Sequence, residues 1–300
     1  MLAAKKFKFS SDTIFDAIVY LSLTGVFFLT FYPFWNIFVI SINDAQDTLR
    51  GGLYIWPRVL TFSSYRVVLQ EREFLTSFYV SVLRTAVGTP LALLCTSMAA
   101  YVLSRKDLIG RKLLSLIFIF TMFFGGGLIP YYMVLKMLNL IDTFWVYVVP
   151  NIMDVFNMLL IMTFIRDLPA ELEESATLDG ANDLIIFFRI IIPLAKPILA
   201  TIALFVAVGH WNSWFDSYAF TYSTQLKTLQ AYLVKILNQY NTGDMVSAAQ
   251  ELANSAKRNP VSSESLRMAT SIVATIPILV VYPFLQKYFV KGIMIGAVKA

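Results

Sequence analysis

Six stretches of the chain stay apolar for longer than a globular core requires: about 14–42, 79–103, 113–138, 143–165, 190–220 and 268–290. A helix crossing the roughly 30 Å hydrocarbon layer takes about 20 predominantly apolar residues. Inside that layer each backbone amide and carbonyl has to be satisfied by the segment itself. Helices meet that demand, so the chain is expected to be an all-α integral membrane protein with about six transmembrane helices. Its charge content agrees: 14% of the 300 residues are charged, against about 25% in soluble domains.

The net charge of +5 does not point to nucleic acid. Lysines and arginines sit in short clusters between apolar runs, as in loops at an anionic membrane face, and no continuous basic stripe on a soluble domain is present. Cys95 lies within an apolar run, has no second cysteine to pair with, and reads as a small core hydrophobe. The N-terminal run after Lys5, Lys6 and Lys8 continues far beyond a signal peptide's h-region and lacks a small-x-small cleavage pattern. It reads as an uncleaved first span.

The segment "SRKDLIGRKL", Ser104 to Leu113, packs four basic residues and one acid into a very short loop. The positive-inside rule assigns that loop to the cytoplasm. Counting spans from it places both termini inside and two long loops outside, about 43–78 and 221–267. The second contains "LKTLQAYLVKILNQY", with Leu226, Leu229, Leu233, Ile236 and Leu237 on one helical face. That face suits either a helix lying on the membrane or a docking surface for an external protein. Pro33, Pro90, Pro277 and Pro283 fall inside apolar runs, and "FFGGGLIPYY" interrupts the third. Such breaks have to be packed in protein or line a cavity.

Between spans four and five lies an unusually polar interruption, "ELEESATLDGANDLIIFFRIIIPL". Pro169 suits a first helical turn, and Glu171, Glu173 and Glu174 follow near the positive end of the helix dipole. Gly180 suits the left-handed residue that closes a helix, and Asn182 is a good N-cap for the next. The pattern predicts a helix–turn–helix on the cytoplasmic side, with small residues at its turn that let another surface approach. Within it, "EESATLDGANDLIIFFRIIIP" resembles the EAA motif of permease subunits of binding-protein-dependent ABC importers. Glu174, Ser175 and Ala176 fill the triplet, Gly180 falls in register after Asp179, and Ile190, Ile192 and Pro193 complete the tail. Ser175 for Ala and Ile192 for Leu are mild departures.

"AAYVLSRKDLIGRK", "GGGLIPYYMVLKMLNLIDT", "PILATIALFVAVGHWNSWF" and "VKGIMIGAVKA" extend the similarity to the carbohydrate branch across nearly the whole chain. The resemblance implies a type I importer permease fold, one transmembrane permease domain over 1–300, with a coupling helix in a cytoplasmic loop at about 166–189. It implies a bacterial cell (inner or plasma) membrane location. The implied partners are a second permease subunit, two ATPase subunits, an extracytoplasmic solute-binding protein and a sugar, besides membrane lipid. The coupling helix and often the C-terminal tail approach the ATPases in that family. No G-x-x-x-x-G-K-[ST] phosphate loop occurs in the chain. No cofactor is therefore expected on it, and ATP with Mg belongs to the partner ATPase.

Two clusters are candidates for the solute path. "PNIMDVFN" puts Asn151, Asp154 and Asn157 at spacings of three, on one broad helical face, and an ionisable group inside a span faces a cavity or a partner. "GHWNSWFDSY" carries Trp211, Trp214 and Tyr218 with Asn212 and Asp216 beside them, a mixture suited to a sugar and equally to an outer aromatic belt. His210 is expected to pack or hydrogen-bond, and Arg84 to snorkel to the outer end of span two. An ion-coupled secondary transporter, a permease for a non-sugar solute and a membrane enzyme acting on a lipid-linked sugar are the rivals. The last lacks any cluster of catalytic acids or metal ligands, so the chain is not expected to be an enzyme.

Overall fold

The computed structural model describes residues 11–48, 50–52, 55–238 and 262–297. The expected basic head at Lys5, Lys6 and Lys8, most of the outer loop beyond Asn238, and the side chains of the closing segment from residue 284 lie outside the described residues. Contacts divide the chain into two units, Met1–Gln70 with Tyr240–Val273, and Glu71–Gln239 with Ala274–Ala300.

In the first unit, helix α1 (Ser11–Ser41) runs through Pro33 and exposes its apolar surface along nearly its whole length. The chain then turns on a polar knot. The Asn43 amide donates to Asp47 Oδ2 (3.0 Å) and to Thr48 Oγ1 (3.0 Å), and Arg58 Nε donates to Asp47 at 2.9 Å.

The second unit is built on α2 (Arg72–Ser104), which continues through Pro90. A lost i→i−4 bond at one proline is tolerable within a long packed helix. Beyond a short loop come α3 (Arg111–Phe123) and α4 (Leu128–Met137), bent by 118° at the glycine run. Two 3₁₀ turns, Phe144–Tyr147 and Val149–Asn151, precede α5 (Val155–Arg166) with a 44° bend. The elbow follows: α6 (Glu171–Leu178), then α7 (Asp183–Ile186), which passes through a π-turn, Phe187–Ile191, into Ile192–Leu194. An 82° break at Ala195 starts α8 (Lys196–Asn212), with Pro197 in its first turn. Helices α9 (Phe215–Phe220) and α10 (229–238) follow, and α11 (Ser263–Ala297) joins this unit from Ala274.

Among the described residues three helices are long and apolar enough to cross a membrane, and up to six spans result if each bent pair counts as one. Spans three, four and five are thus not straight helices. The breaks fall where several helix-incompatible features coincide: the Gly125–Gly127 run, Pro150 with the capping Asp154, and Pro193 with Pro197.

Helix α2 packs against both α5 and α8. Two apolar clusters form along it. One joins Ala100, Tyr101 and Leu103 to Met158, Ile161, Ile165, Ile186, Phe187 and Ile202. The other joins Val80 to Leu135, Val146, Tyr147, Val148 and Phe220. On all three elements the polar side chains fall between these clusters: Arg84 on α2, Asn151 to Asn157 at the head of α5, and His210 on α8.

The apolar face of α10 is covered. Leu229, Tyr232 and Ile236 are buried, and Tyr232 donates to Glu71 at 2.5 Å. Leu226 lies in a separate 3₁₀ turn, Thr224–Leu226. Leu229 and Ile236 thus turn into the protein, while Leu226, Leu233 and Leu237 stay half-buried.

Candidate functional site: an exposed elbow and a polar cavity

The elbow's local structure follows the residues closely. Gly180 has φ +82°, and its amide donates to Thr177 O at 3.0 Å while that of Ala181 reaches Ala176 O at 2.9 Å. These two bonds make a Schellman closure, which favours glycine at that position. Asn182 caps α7, its Oδ1 accepting from Ile185 N at 2.9 Å. Pro169 stands just ahead of the helix rather than inside its first turn, with Ala170 as the cap residue. Glu174, Ser175, Asp179, Gly180 and Pro193 are exposed, whereas Ala176 and Ile190 pack against the apolar cluster below.

One arginine pins both arms of the elbow. Arg105, in the loop after α2, donates to Glu173 Oε2 at 2.7 Å and lies 3.5 Å from Asp183 Oδ1. Its guanidinium also stands 5.9 Å from the Tyr101 ring, and Tyr101 packs on Phe187 with centroids 5.5 Å apart. Arg166 donates to Leu103 O at 3.0 Å. A groove of about 790 Å³ runs between this loop and the elbow, lined by Arg105, Lys106, Arg111, Arg166, Glu173 and Glu174 among others. The elbow is therefore a braced projection rather than a free lever. Leu178 at its tip is 89% exposed, and Leu184 and Phe188 are exposed too. The acids were legible in sequence. The brace was not, because Arg105 and Glu173 are 68 residues apart.

The second site is a cavity of about 320 Å³ where α2, α5 and α8 meet. Its walls carry Arg84, Asn151, Asp154, Asn157, Phe205, His210 and Ser213. Asn151, Asp154 and Asn157 do converge, but not along one helical face. Asn151 sits in a 3₁₀ turn and donates to Tyr147 O at 3.1 Å. Asp154 is the N-cap of α5, accepting from Asn157 N at 2.7 Å. Its charge thus lies at a helix start, where the dipole favours it, instead of in mid-helix.

Arg84 does not snorkel. It is 1% exposed and grips Asp216 with both terminal nitrogens, at 3.1 and 2.5 Å, while also donating to Ser213 O at 3.2 Å. Its guanidinium carbon lies 4.6 Å from the centre of the Tyr147 ring. Asp216, expected on the path, is thereby spent on a structural pair. Trp211 is likewise buried, its indole donating to Ala274 O at 3.0 Å with Phe78 edge-on. Asn212, Trp214 and Tyr218 are exposed and do not line this cavity. His210 is buried and forms no hydrogen bond among the described residues. It lies so close to Gly88 that a Cβ there would meet its Nε2 at 2.5 Å.

No protein-family model matches the chain. Individual proteins do. Protein LplC of Bacillus subtilis (strain 168) is 38% identical over 287 residues, covering 95% of each chain. The polygalacturonan/rhamnogalacturonan transport system permease protein YtcP of the same organism is 35% identical over 290 residues, 96% of this chain and 99% of that one. This chain belongs to the carbohydrate ABC importer permeases. A crystal structure of a bacterial ABC transporter that imports the acidic polysaccharide alginate contains a chain with the same fold. It matches at TM-score 0.84 and 32% identity, over 94% of this chain and 99% of that one. The permease is a membrane protein and a transport component rather than an enzyme, one part of a multi-subunit import system.

Proposed function

We propose that the elbow is the ATPase-coupling element of this permease, and that the polar cavity forms part of its solute path. The observation that carries the first claim is the division of labour within the motif. Ala176 and Ile190 anchor it to the apolar cluster, while Glu174, Ser175, Asp179 and Gly180 face outward beside an exposed Leu178. An apolar tip with an acidic rim fits a cleft on a second protein better than it fits water. On this reading the loop at Arg105 and both termini are cytoplasmic. Two ATPase subunits supply the energy, a second permease subunit completes the path, and an extracytoplasmic binding protein delivers an oligosaccharide. No cofactor is bound by this chain itself. The cargo names of the relatives include acidic polymers and neutral galacto- and arabino-oligosaccharides, so one fragment of each class makes the first pair of probes.

The test is co-purification and uptake. Glu174→Lys reverses an exposed charge without touching the core, and Gly180→Val forces a β-branched residue to a positive φ. Both are expected to lose ATPase association and uptake while the chain still reaches the membrane. Survival of association and uptake in both variants would refute the coupling role.

A further inference from the structure

The cavity's unused hydrogen-bonding groups identify the kind of ring it takes. We propose that the space bounded by Arg84, Asn151, Asp154, Asn157, His210 and Ser213 is a subsite for one uncharged sugar ring, held by its hydroxyls, and that it rejects a carboxylate-bearing ring. The inference rests on the reading of this cavity as part of the solute path.

Size comes first. At about 320 Å³ the cavity lies at the small end of the roughly 300–1,000 Å³ range of ligand pockets, enough for one ring and not for an oligosaccharide. Charge comes next. The one guanidinium on its wall is neutralised, because Asp216 takes both of its terminal nitrogens. What remains is the Asp154 carboxylate, of which Oδ1 accepts from Asn157 N and Oδ2 accepts from nothing described. An incoming carboxylate would bring a second negative charge and only acceptor oxygens to this wall.

The remaining groups suit hydroxyls, which both donate and accept. Among the described residues, Asp154 Oδ2 and Asn151 Oδ1 accept from no donor, and the Asn157 side-chain amide and both ring nitrogens of His210 have no hydrogen-bond partner. Phe205 adds an apolar ring to the wall, against which the C–H face of a pyranose can lie. The carboxylates of an acidic cargo are then read elsewhere in the assembly, and this subsite takes an uncharged unit.

The experiment uses the importer assembled with its partner subunits in mild detergent, so that the cavity is reachable from both sides. In a Cys95→Ala background, Met153→Cys and, separately, Val206→Cys, both on the apolar part of the wall, report occupancy through the rate of methanethiosulfonate labelling. A neutral galacto-tetrasaccharide at saturation is expected to slow labelling severalfold by covering the thiol, and tetragalacturonate to leave it unchanged. Asp154→Asn keeps the helix cap but removes the charge, and in that background tetragalacturonate is expected to protect as well. Equal protection by both sugars with Asp154 present overturns the proposal, as does protection by neither at both cysteine positions in an importer that still transports. A native assembly that neither retains an ATPase nor moves sugar would instead overturn the functional reading on which the subsite depends.

Discussion

Replacing Gly88 by alanine tests the close crossing of α2 and α8. A methyl group at residue 88 would meet His210 at 2.5 Å from Nε2, 2.7 Å from Cε1 and 3.0 Å from Cδ2. Ordinary contact begins at 3.4 Å, so the imidazole must retreat by 3.4 − 2.5 = 0.9 Å or the two helices must part by a similar amount. Retreat is restricted because the ring is only 5% exposed. Overpacking of this kind typically costs about 1–3 kcal/mol. At roughly 2–4 °C per kcal/mol for a large domain, the thermal midpoint should fall by about 2–12 °C. The assay is the loss of monodisperse elution on heating the purified chain in mild detergent. Gly88→Ala/His210→Ala should recover to near the midpoint of His210→Ala alone, since removing the ring removes the clash. An unchanged midpoint in Gly88→Ala, or strictly additive effects in the double variant, would refute the packing argument.

Two further outcomes follow from the same geometry. Breaking the Arg84–Asp216 pair should cost about 3–5 kcal/mol for either single change, with Asp216→Leu the worse because it strands the more deeply buried partner; Arg84→Met/Asp216→Leu should recover much of the loss. A double-mutant cycle on thermal midpoints showing additivity would refute that coupling. Asp142 accepts from the Ser223 hydroxyl (2.6 Å) and from the amides of Ser223 (2.9 Å) and Tyr222 (2.8 Å), and these bonds hold its pKa below the usual carboxylate value. Because the folded pKa is the lower one, the tether's contribution is complete above the unfolded pKa near 4 and is lost as pH falls through the folded value. Hydrogen exchange at Tyr222 and Ser223, compared with Asp142→Asn at each pH, should show a protection gap between the two proteins that shrinks below pH ~4; a gap constant with pH would refute it.

The sequence disclosed whatever depends on local chemistry. Span number came from the length of apolar runs, and the elbow's turn from Gly180 and Asn182, because caps and left-handed residues act within a few positions. What it hid depends on partners far along the chain. Arg84 looked like a snorkelling residue because Asp216 lies 132 residues away. Trp211 looked available to a sugar because the carbonyl of Ala274, 63 residues on, cannot be read from the string. Asp154 illustrates a third kind of error: a period-three pattern implied one helical face, yet Pro150 and the aspartate itself end one turn and start another. His210, without a hydrogen bond among the described residues, carried no sequence signal beyond being the chain's one histidine.

Asn151 and Asp154 stand where the backbone at the head of α5 is irregular, and that coincidence has a physical cause. A broken span frees amides and carbonyls that lipid cannot satisfy, so breaks must face protein or a polar space, and the head of α5 does both. The break before α8 serves differently. Pro193 and Pro197 remove donors on either side of Ala195, the chain turns by 82° there, and the π-turn just upstream presents Phe187 and Ile191 to Tyr101 and the α5 cluster. Close-packed interiors transmit displacement instead of absorbing it. A push on the exposed elbow would therefore meet the apolar cluster at one end of α2 and α5, while the same chain continues through α8 to His210 at the cavity. If the elbow couples to an ATPase, the segment from Glu171 to His210 is one continuous covalent and packed route from that motor to the cavity, and the bend at Ala195 is where its direction changes.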